Sequence, residues 1–270
     1  MDIDSSVVTR YGAQDGAKKG YNPKKKGRNG HHSIIAFVNE VKMVANFWLR
    51  SGNTSSANNF IGFLEETLSV FSAKKVGMVR LDSGFCQKDI FEHLEQKALK
   101  YIVAAKFTHP VQHLIDKQDT LLMVDEGIEI CDKHYQGKTW DKQRRLVIVR
   151  QKIANRPNAT GRTLSLFPED EIHRNYRYSA YFTNNEFAAT DVWRMYRQRG
   201  DAENRIKELK ADFGAESFNL KAFYATEAAL IFSMIACNLM STFRKFVLQE
   251  KTQENIINTT LQNFCNWRLL

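Results

Sequence analysis

A chain of 270 residues, 43% hydrophobic and 26% charged, is long enough to bury one compound core or two smaller ones, and its composition is that of a globular protein. Lys and Arg number 39 against 30 Asp and Glu, a net charge of +9 that suits a polyanionic partner such as nucleic acid, although membrane lipid or simple solubility would explain it too. The four cysteines lie far apart with no C-x2-C pair, which excludes a disulfide framework or zinc knuckle as the starting assumption, and Asp2 and Asp4 stand where a signal peptide would be basic.

In chain order, Met1 to Val8 suits a first strand. Between Arg10 and Gly30 the residues Arg10, Lys18, Lys19, Lys24, Lys25, Lys26 and Arg28 face Asp15 alone, among five glycines. This reads as a flexible basic loop able to follow phosphates, or as a nuclear or heparin-type basic tract. Ser33 to Arg50 reads as two antiparallel strands turning at Asn39-Glu40. Phe60, Phe63, Leu64 and Leu68 give Ala57 to Val70 a helical period, and Val76 to Leu81 then forms a strand ending at Asp82-Ser83-Gly84-Phe85. Lys88 to Ala98 is again helical and Tyr101 to Ala105 again a strand. Such an order predicts an α/β fold, a mixed sheet with helices packed on it, and puts Asp82 at the carboxyl end of a central strand, where ligand sites gather.

From Phe107 to about Asn184 the helical signal fades. Short apolar runs at Thr120–Val124, Arg145–Val149 and Tyr178–Phe182 predict a β-rich insertion over 107–184, dividing a first core part (1–106) from a second, helical part (185–250) and a tail (251–270). Arg144, Arg145, Arg150, Lys152, Arg156, Arg162, Arg174 and Arg177 would give the insertion a basic surface, either a second DNA contact or scattered exposed charge. Trp140 suits the insertion's own core, with base stacking as the rival reading. His109 and His113 have metal-ligand spacing, but Pro110 lies between them and no third ligand accompanies them. Phe223 to Val247 reads as a long apolar helix covering one face of the sheet; its most apolar part, Ala225 to Met240, carries Glu227 and Asn238 and is short for a membrane span.

The most informative stretch is Tyr196-x2-Arg199-x3-Glu203-x6-Lys210. On one helix this spacing gathers a carboxylate, two cations and a phenol into a narrow sector, with Lys207 nearby, while Met195, Ala202, Ile206, Leu209 and Phe213 form a separate apolar stripe. The same charges also describe a solvated helix face with weak ion pairs. Thr190 is a candidate N-cap with Asp191 in the first turn, Gly214 a candidate stop, and Gly200-Asp201 an interruption. Two-metal phosphoryl transfer needs about three convergent carboxylates. Asp4, Asp82 and Glu203 make such a trio, although Asp4 and Asp82 could each serve as turn caps.

These residues resemble the DDE transposases of bacterial insertion sequences, in the insertion-sequence-four superfamily and its IS-thirteen-eighty-like branch. The resemblance rests on Asp2-Ile3-Asp4-Ser5-Ser6, Tyr11-Gly12 with Gly20-Tyr21-Asn22-Pro23, Arg80-Leu81-Asp82-Ser83-Gly84-Phe85 and the Tyr196 to Lys210 row. It implies an RNase H-like fold interrupted by an insertion, and Mg2+ or Mn2+ in a two-metal site held by Asp4, Asp82 and Glu203, with Asp2 the nearest competitor for the first acid. Tyr196, Arg199, Lys207 and Lys210 would bind DNA, joined by Lys24, Lys25, Lys26 and Arg28 of the basic loop. The implied activity is metal-dependent cleavage at transposon ends, water attacking first, and transfer of the freed 3′-OH to target DNA. The setting would be a homodimeric synaptic complex in the bacterial cytoplasm, at the nucleoid and away from membranes. Members of this family usually carry DNA-binding helices before the first Asp and continue past the region of Thr260, so a chain truncated at both ends is expected. A catalytically incomplete DNA-binding remnant and a stand-alone RNase H-like nuclease are the alternatives.

Overall fold

The computed structural model describes residues 1–23, 25–72, 74–117, 121–153, 175–218 and 220–247. Lys24, Thr120, Arg156, Arg162, Arg174 and the tail 251–270 therefore lie outside the described residues.

Among the described residues, ten strands form one mixed sheet flanked by helices on both faces. β1 (Asp2–Thr9) lies between β3 (Asn29–Val38), antiparallel to it, and β5 (Met78–Leu81), parallel to it; β6 (Lys100–Ala104) continues parallel to β5. β4 (Met43–Trp48) and the two-residue β2 (Lys18–Lys19) pair with the far side of β3. β7 (Leu122–Asp125), β8 (Ile128–Tyr135), β9 (Arg144–Lys152) and β10 (Tyr176–Thr183) form an antiparallel run. β10 is antiparallel to β6, with Phe182 opposite Val103, so the strands of the 107–184 segment extend the same sheet.

Side-chain alternation along the strands loads the two faces differently. Ile3, Ile34, Val79, Leu81, Tyr101 and Val103 face α1 (Phe60–Val70), α2 (Lys88–Gln96) and α3 (His109–Asp116), which contribute Phe60, Phe63, Leu64, Ile90, Phe91, Leu94, Val111 and Ile115. Ile35, Phe37, Ile102, Val147 and Tyr181 face α4 (Ala189–Arg197), α5 (Gly200–Ala211) and α6 (Phe223–Phe246). Each large apolar side chain sealed this way contributes about 1.5–3 kcal/mol. Trp140 packs edge-on against Phe91, Tyr135 and Phe182 with centroids 5.3, 5.6 and 5.0 Å away, the core placement rather than a stacking platform.

Three expectations need correction. The 109–116 stretch is helical: Pro110 occupies the first turn, where its missing N–H costs nothing, and Val111 and Ile115 bury one face. The basic stretch from Arg10 to Gly30 is a pinned hairpin rather than a free loop. Arg10 N–H donates to Asn29 O at 2.8 Å, Asn22 Nδ2 to Thr9 Oγ1 at 2.9 Å, and the Arg10 guanidinium to Phe218 O at 2.7 Å. Gly20 lies so near Gly52 that a Cβ there would stand 1.8 Å from the Gly52 carbonyl oxygen. Finally, α6 is not a buried helix. It packs on β4 through one side, with Leu230, Met234 and Cys237 inward, while Tyr224, Phe232 and Leu239 face out; by length and composition alone it would be apolar enough to cross a membrane.

Candidate active site

β1 turns Asp2 and Asp4 to the α4–α6 face, opposite Phe37 and Ile35 of β3. Ile3 pairs with Leu81 of β5, so Asp82, the next residue, emerges beside Asp4 at the end of a parallel strand. The two neighbouring acids of β1 have different partners. Asp2 is fully buried and its Oδ1 and Oδ2 accept from Arg80 Nε and Nη2 at 2.5 and 2.7 Å, while Arg80 Nη1 donates onward to Met195 O in α4. Asp4 Oδ1 accepts from the Ser5 N–H at 2.8 Å, and Oδ2 is turned toward Arg199 at the start of α5. Asp82 Oδ1 accepts from the Gly84 N–H at 2.8 Å, capping a short 3-10 turn over Ser83–Phe85.

The helix expected to run through the Tyr196–Lys210 row is two helices. α4 ends at Arg197 and α5 begins at Gly200, joined by tight bonds from Asp201 N to Gln198 O (3.2 Å) and Ala202 N to Arg199 O (2.9 Å). Gly200 is a weak helix former, and Asp201 and Glu203 suit the positive end of a helix, so the chain restarts there. The break divides the expected apolar stripe: Ala202, Ile206 and Leu209 join the cluster under α6, whereas Met195 packs with Val192, Trp193 and Ile102 under α4. The helix entry also differs. The N-cap is Ala188 rather than Thr190, with Asp191 in the first turn as expected, and Gly214 closes α5's exit with φ +68°.

Arg199 stands at the break. Only 4% exposed, it places Nη2 2.8 Å from Asp4 Oδ2, and its Nη1 donates to Glu203 Oε1 at 3.2 Å. The Tyr196 ring lies 5.9 Å from the guanidinium carbon and 4.4 Å from the Tyr181 ring. Burial works against the Arg199 charge, but Asp4, Tyr196, Asp82 and Glu203 outweigh it and raise its pKa above the ordinary value. The Asp4 carboxyl is pushed up to about 6, first by burial, then by Asp82 and Glu203, against the pull of Arg199 and the Ser5 N–H. Asp82 is raised for the same leading reason, with Glu203 adding and Arg199, the Gly84 N–H and His32 opposing. Burial likewise raises the Tyr196 phenol. Acids from β1, the end of β5 and α5 thus lie in one electrostatic neighbourhood around one guanidinium. Among the described residues, no three His, Cys, Asp or Glu side chains stand close enough together to hold a metal ion as arranged.

The other residues singled out by sequence are placed apart from this centre. Lys210 points back to the sheet, its Nζ 2.8 Å from Val7 O and 2.7 Å from Glu216 Oε1, while Lys207 is exposed. Lys25, Lys26 and Arg28 are exposed on the hairpin; Lys25 Nζ lies 4.9 Å and the Arg28 guanidinium 5.8 Å from the centre of the exposed Tyr11 ring. Sequence reading missed two groups. Arg50 is buried without a carboxylate and donates to the carbonyls of His32, Ser55, Ser56 and Asn58, fixing the loop whose Ser56 Oγ meets Ser5 Oγ at 2.7 Å. Buried His32 faces Thr54 O, with the charge of Asp82 in range; burial lowers its pKa. A cation held by backbone carbonyls has no signature in residue types.

A family profile described as "Transposase DDE domain group 1" matches residues 1–264. Among solved structures, one similar chain is that in the "Cryo-EM structure of piggyBac transposase synaptic complex with hairpin DNA", at 10% sequence identity and a TM-score of 0.55, covering 90% of this chain and 46% of that one. At that identity the likeness concerns the fold alone, and this chain spans less than half the length of its structural neighbour. No curated protein matches the chain by sequence. With the profile covering nearly all of the sequence, the chain belongs to the transposase DDE domain group 1 family.

Proposed function

We propose that this chain is the catalytic core of a DNA transposase in the insertion-sequence-four superfamily, IS-thirteen-eighty-like branch, which cleaves phosphodiesters at element ends and transfers the 3′-OH to target DNA. The observation that carries the reading is that Arg199 lies within ion-pair distance of both Asp4 and Glu203, with the charge of Asp82 in range. The strand order β4-β3-β1-β5-β6, three antiparallel strands followed by two parallel to the first, supports an RNase H-like core.

Carboxylates are the donors that Mg2+ and Mn2+ prefer, so the three acids suit such a cation by chemistry, but it would have to draw them closer together than they now stand. Asp4, Asp82 and Glu203 would hold the cations. When bound, these would offset charge developing on a phosphodiester and favour the ionised form of an attacking hydroxyl. The chain's own residues do the positioning. From Asp4 to Thr9 β1 runs roughly 17 Å, and the basic hairpin begins there. A duplex with its scissile phosphate at Asp4 would reach toward the hairpin that carries Lys25, Lys26 and Arg28, with the Arg199–Tyr196 pair beside the acids and exposed Lys207 one turn further along α5. A homodimer in a synaptic complex, acting at the nucleoid in the cytoplasm, completes the reading.

Nicking of supercoiled plasmid in Mg2+ or Mn2+ tests it. The parent should nick, and Asp82→Ala and Glu203→Ala should each reduce nicking at least about 100-fold; variants that cut as well as the parent would refute the assignment. DNA binding without metal-dependent cutting would identify a binding remnant, and cutting without strand-transfer products a nuclease.

A further inference from the structure

Several buried arginines keep an unmatched nitrogen, Arg144 Nη1 among them, but Arg199 differs from Arg80 and Arg144 in how its carboxylates are held. Arg80 has a bidentate carboxylate and a carbonyl, and Arg144 has both oxygens of Glu95, at 2.9 Å each. Arg199 approaches Asp4 at 2.8 Å without the alignment of a hydrogen bond, and its buried Nε has no partner. Its one directed bond goes to Glu203, whose side chain is 57% exposed. Charge attraction thus holds this guanidinium, with few directional bonds, and its anchor leads toward solvent. A buried donor left unmatched costs about 1–3 kcal/mol, which lowers the cost of moving Arg199 elsewhere. It also lies where α4 gives way to α5.

Resting on the DDE reading above, we infer that Arg199 is the resident counter-cation of the acid cluster and that it makes metal binding and DNA binding mutually reinforcing. Without metal, its charge keeps Asp4, Asp82 and Glu203 together. A divalent ion and the guanidinium compete for the same carboxylate oxygens. A DNA phosphate near Glu203 gives Arg199 another anion, so DNA frees the acids for the metal and metal frees Arg199 for DNA. By linkage the two enhancements are equal.

The test is Mn2+ affinity, read from the electron paramagnetic resonance signal of free Mn2+, with and without a short blunt duplex and after subtraction of Mn2+ bound by the duplex alone. In the parent, duplex should tighten Mn2+ binding about 5- to 150-fold. Arg199→Gln should bind Mn2+ more tightly than the parent without DNA, and duplex should add less than about twofold; Arg199→Lys should keep part of the coupling. In EDTA Arg199→Gln should melt below the parent and recover in Mn2+, so an unstable variant still reports. Unchanged or weaker Mn2+ binding by Arg199→Gln, or undiminished coupling, overturns the inference. An Asp82→Asn, Glu203→Gln double variant separates it from the DDE reading. If the double variant binds Mn2+ like the parent, the acid assignment falls. If it loses Mn2+ while Arg199→Gln behaves as the parent, only the counter-cation role falls.

Discussion

Asp2 and Arg80 face each other across β1 and β5 as a buried bidentate pair, whereas Asp4, two residues along the same strand, has no such bidentate partner among the described residues. Removing one member strands the other charge in a dry interior. Asp2→Asn and Arg80→Leu should each lose about 3–5 kcal/mol of folding stability by urea denaturation, the double replacement losing less than the sum. Asp4→Asn should cost far less, since Asp4 sits among acids that oppose its charge. Comparable losses at Asp2 and Asp4 would contradict this division.

The acid cluster gives metal-free stability a definite pH dependence. The Asp4 carboxyl rises from 3.8 to about 6 on folding, so the folded chain holds this proton more tightly than the unfolded chain does. Its contribution is therefore most favourable below about pH 4, declines as pH climbs toward 6 and levels off above it, by roughly 2–3 kcal/mol over the window. Denaturation of the parent and Asp4→Asn at stepped pH in EDTA checks the sign: the parent should lose ground to the variant across that interval. Because proton and cation compete for Asp4, Mn2+ affinity should rise over the same interval.

DNA affinity should depend on the hairpin and on α5 to different degrees. Lys25→Ala and Arg28→Ala should weaken binding to any duplex and each reduce the slope of log K against log salt by about 0.9. Exposed Lys207 should act alike. Lys210→Ala should instead cost about 1 kcal/mol of stability, because its ammonium is committed to Val7 O and Glu216. Fluorescence anisotropy across a salt series, paired with thermal melts, distinguishes the two behaviours.

Trp140→Ala should destabilise the fold by about 3 kcal/mol, since Phe91, Tyr135 and Phe182 close around the indole. DNA affinity of the folded variant should match that of the parent. A loss of affinity with stability preserved would return Trp140 to the binding surface.

Much of the fold was legible because period and sheet position agree. Alternation in Ser33 to Arg50 gave β3, β4 and their turn, and the spacing of Phe60, Phe63 and Leu64 gave α1. The elements that carry the three acids were legible too: Asp4 on β1, Asp82 just past β5 and Glu203 on α5. What escaped depended on distant contacts. Nothing local says that Asp2 meets Arg80, that Arg50 donates to four carbonyls, or that Asn22 fastens the basic stretch to Thr9. The position of the break before Gly200 was uncertain because Gly weakens a helix without fixing which residue ends it, and that one boundary decides whether Met195 shares a core with Ile206.

The antiparallel seam between β6 and β10 has a mechanical consequence. Thr183, Phe182 and Tyr181 lock onto Ile102, Val103 and Ala104, so a cut in the chain between β9 and β10 would leave two fragments riveted through one lattice of interstrand hydrogen bonds. Separately expressed halves of this polypeptide should therefore reassemble by complementation, and hydrogen exchange along β9 and β10 should be as slow as along β1 and β5.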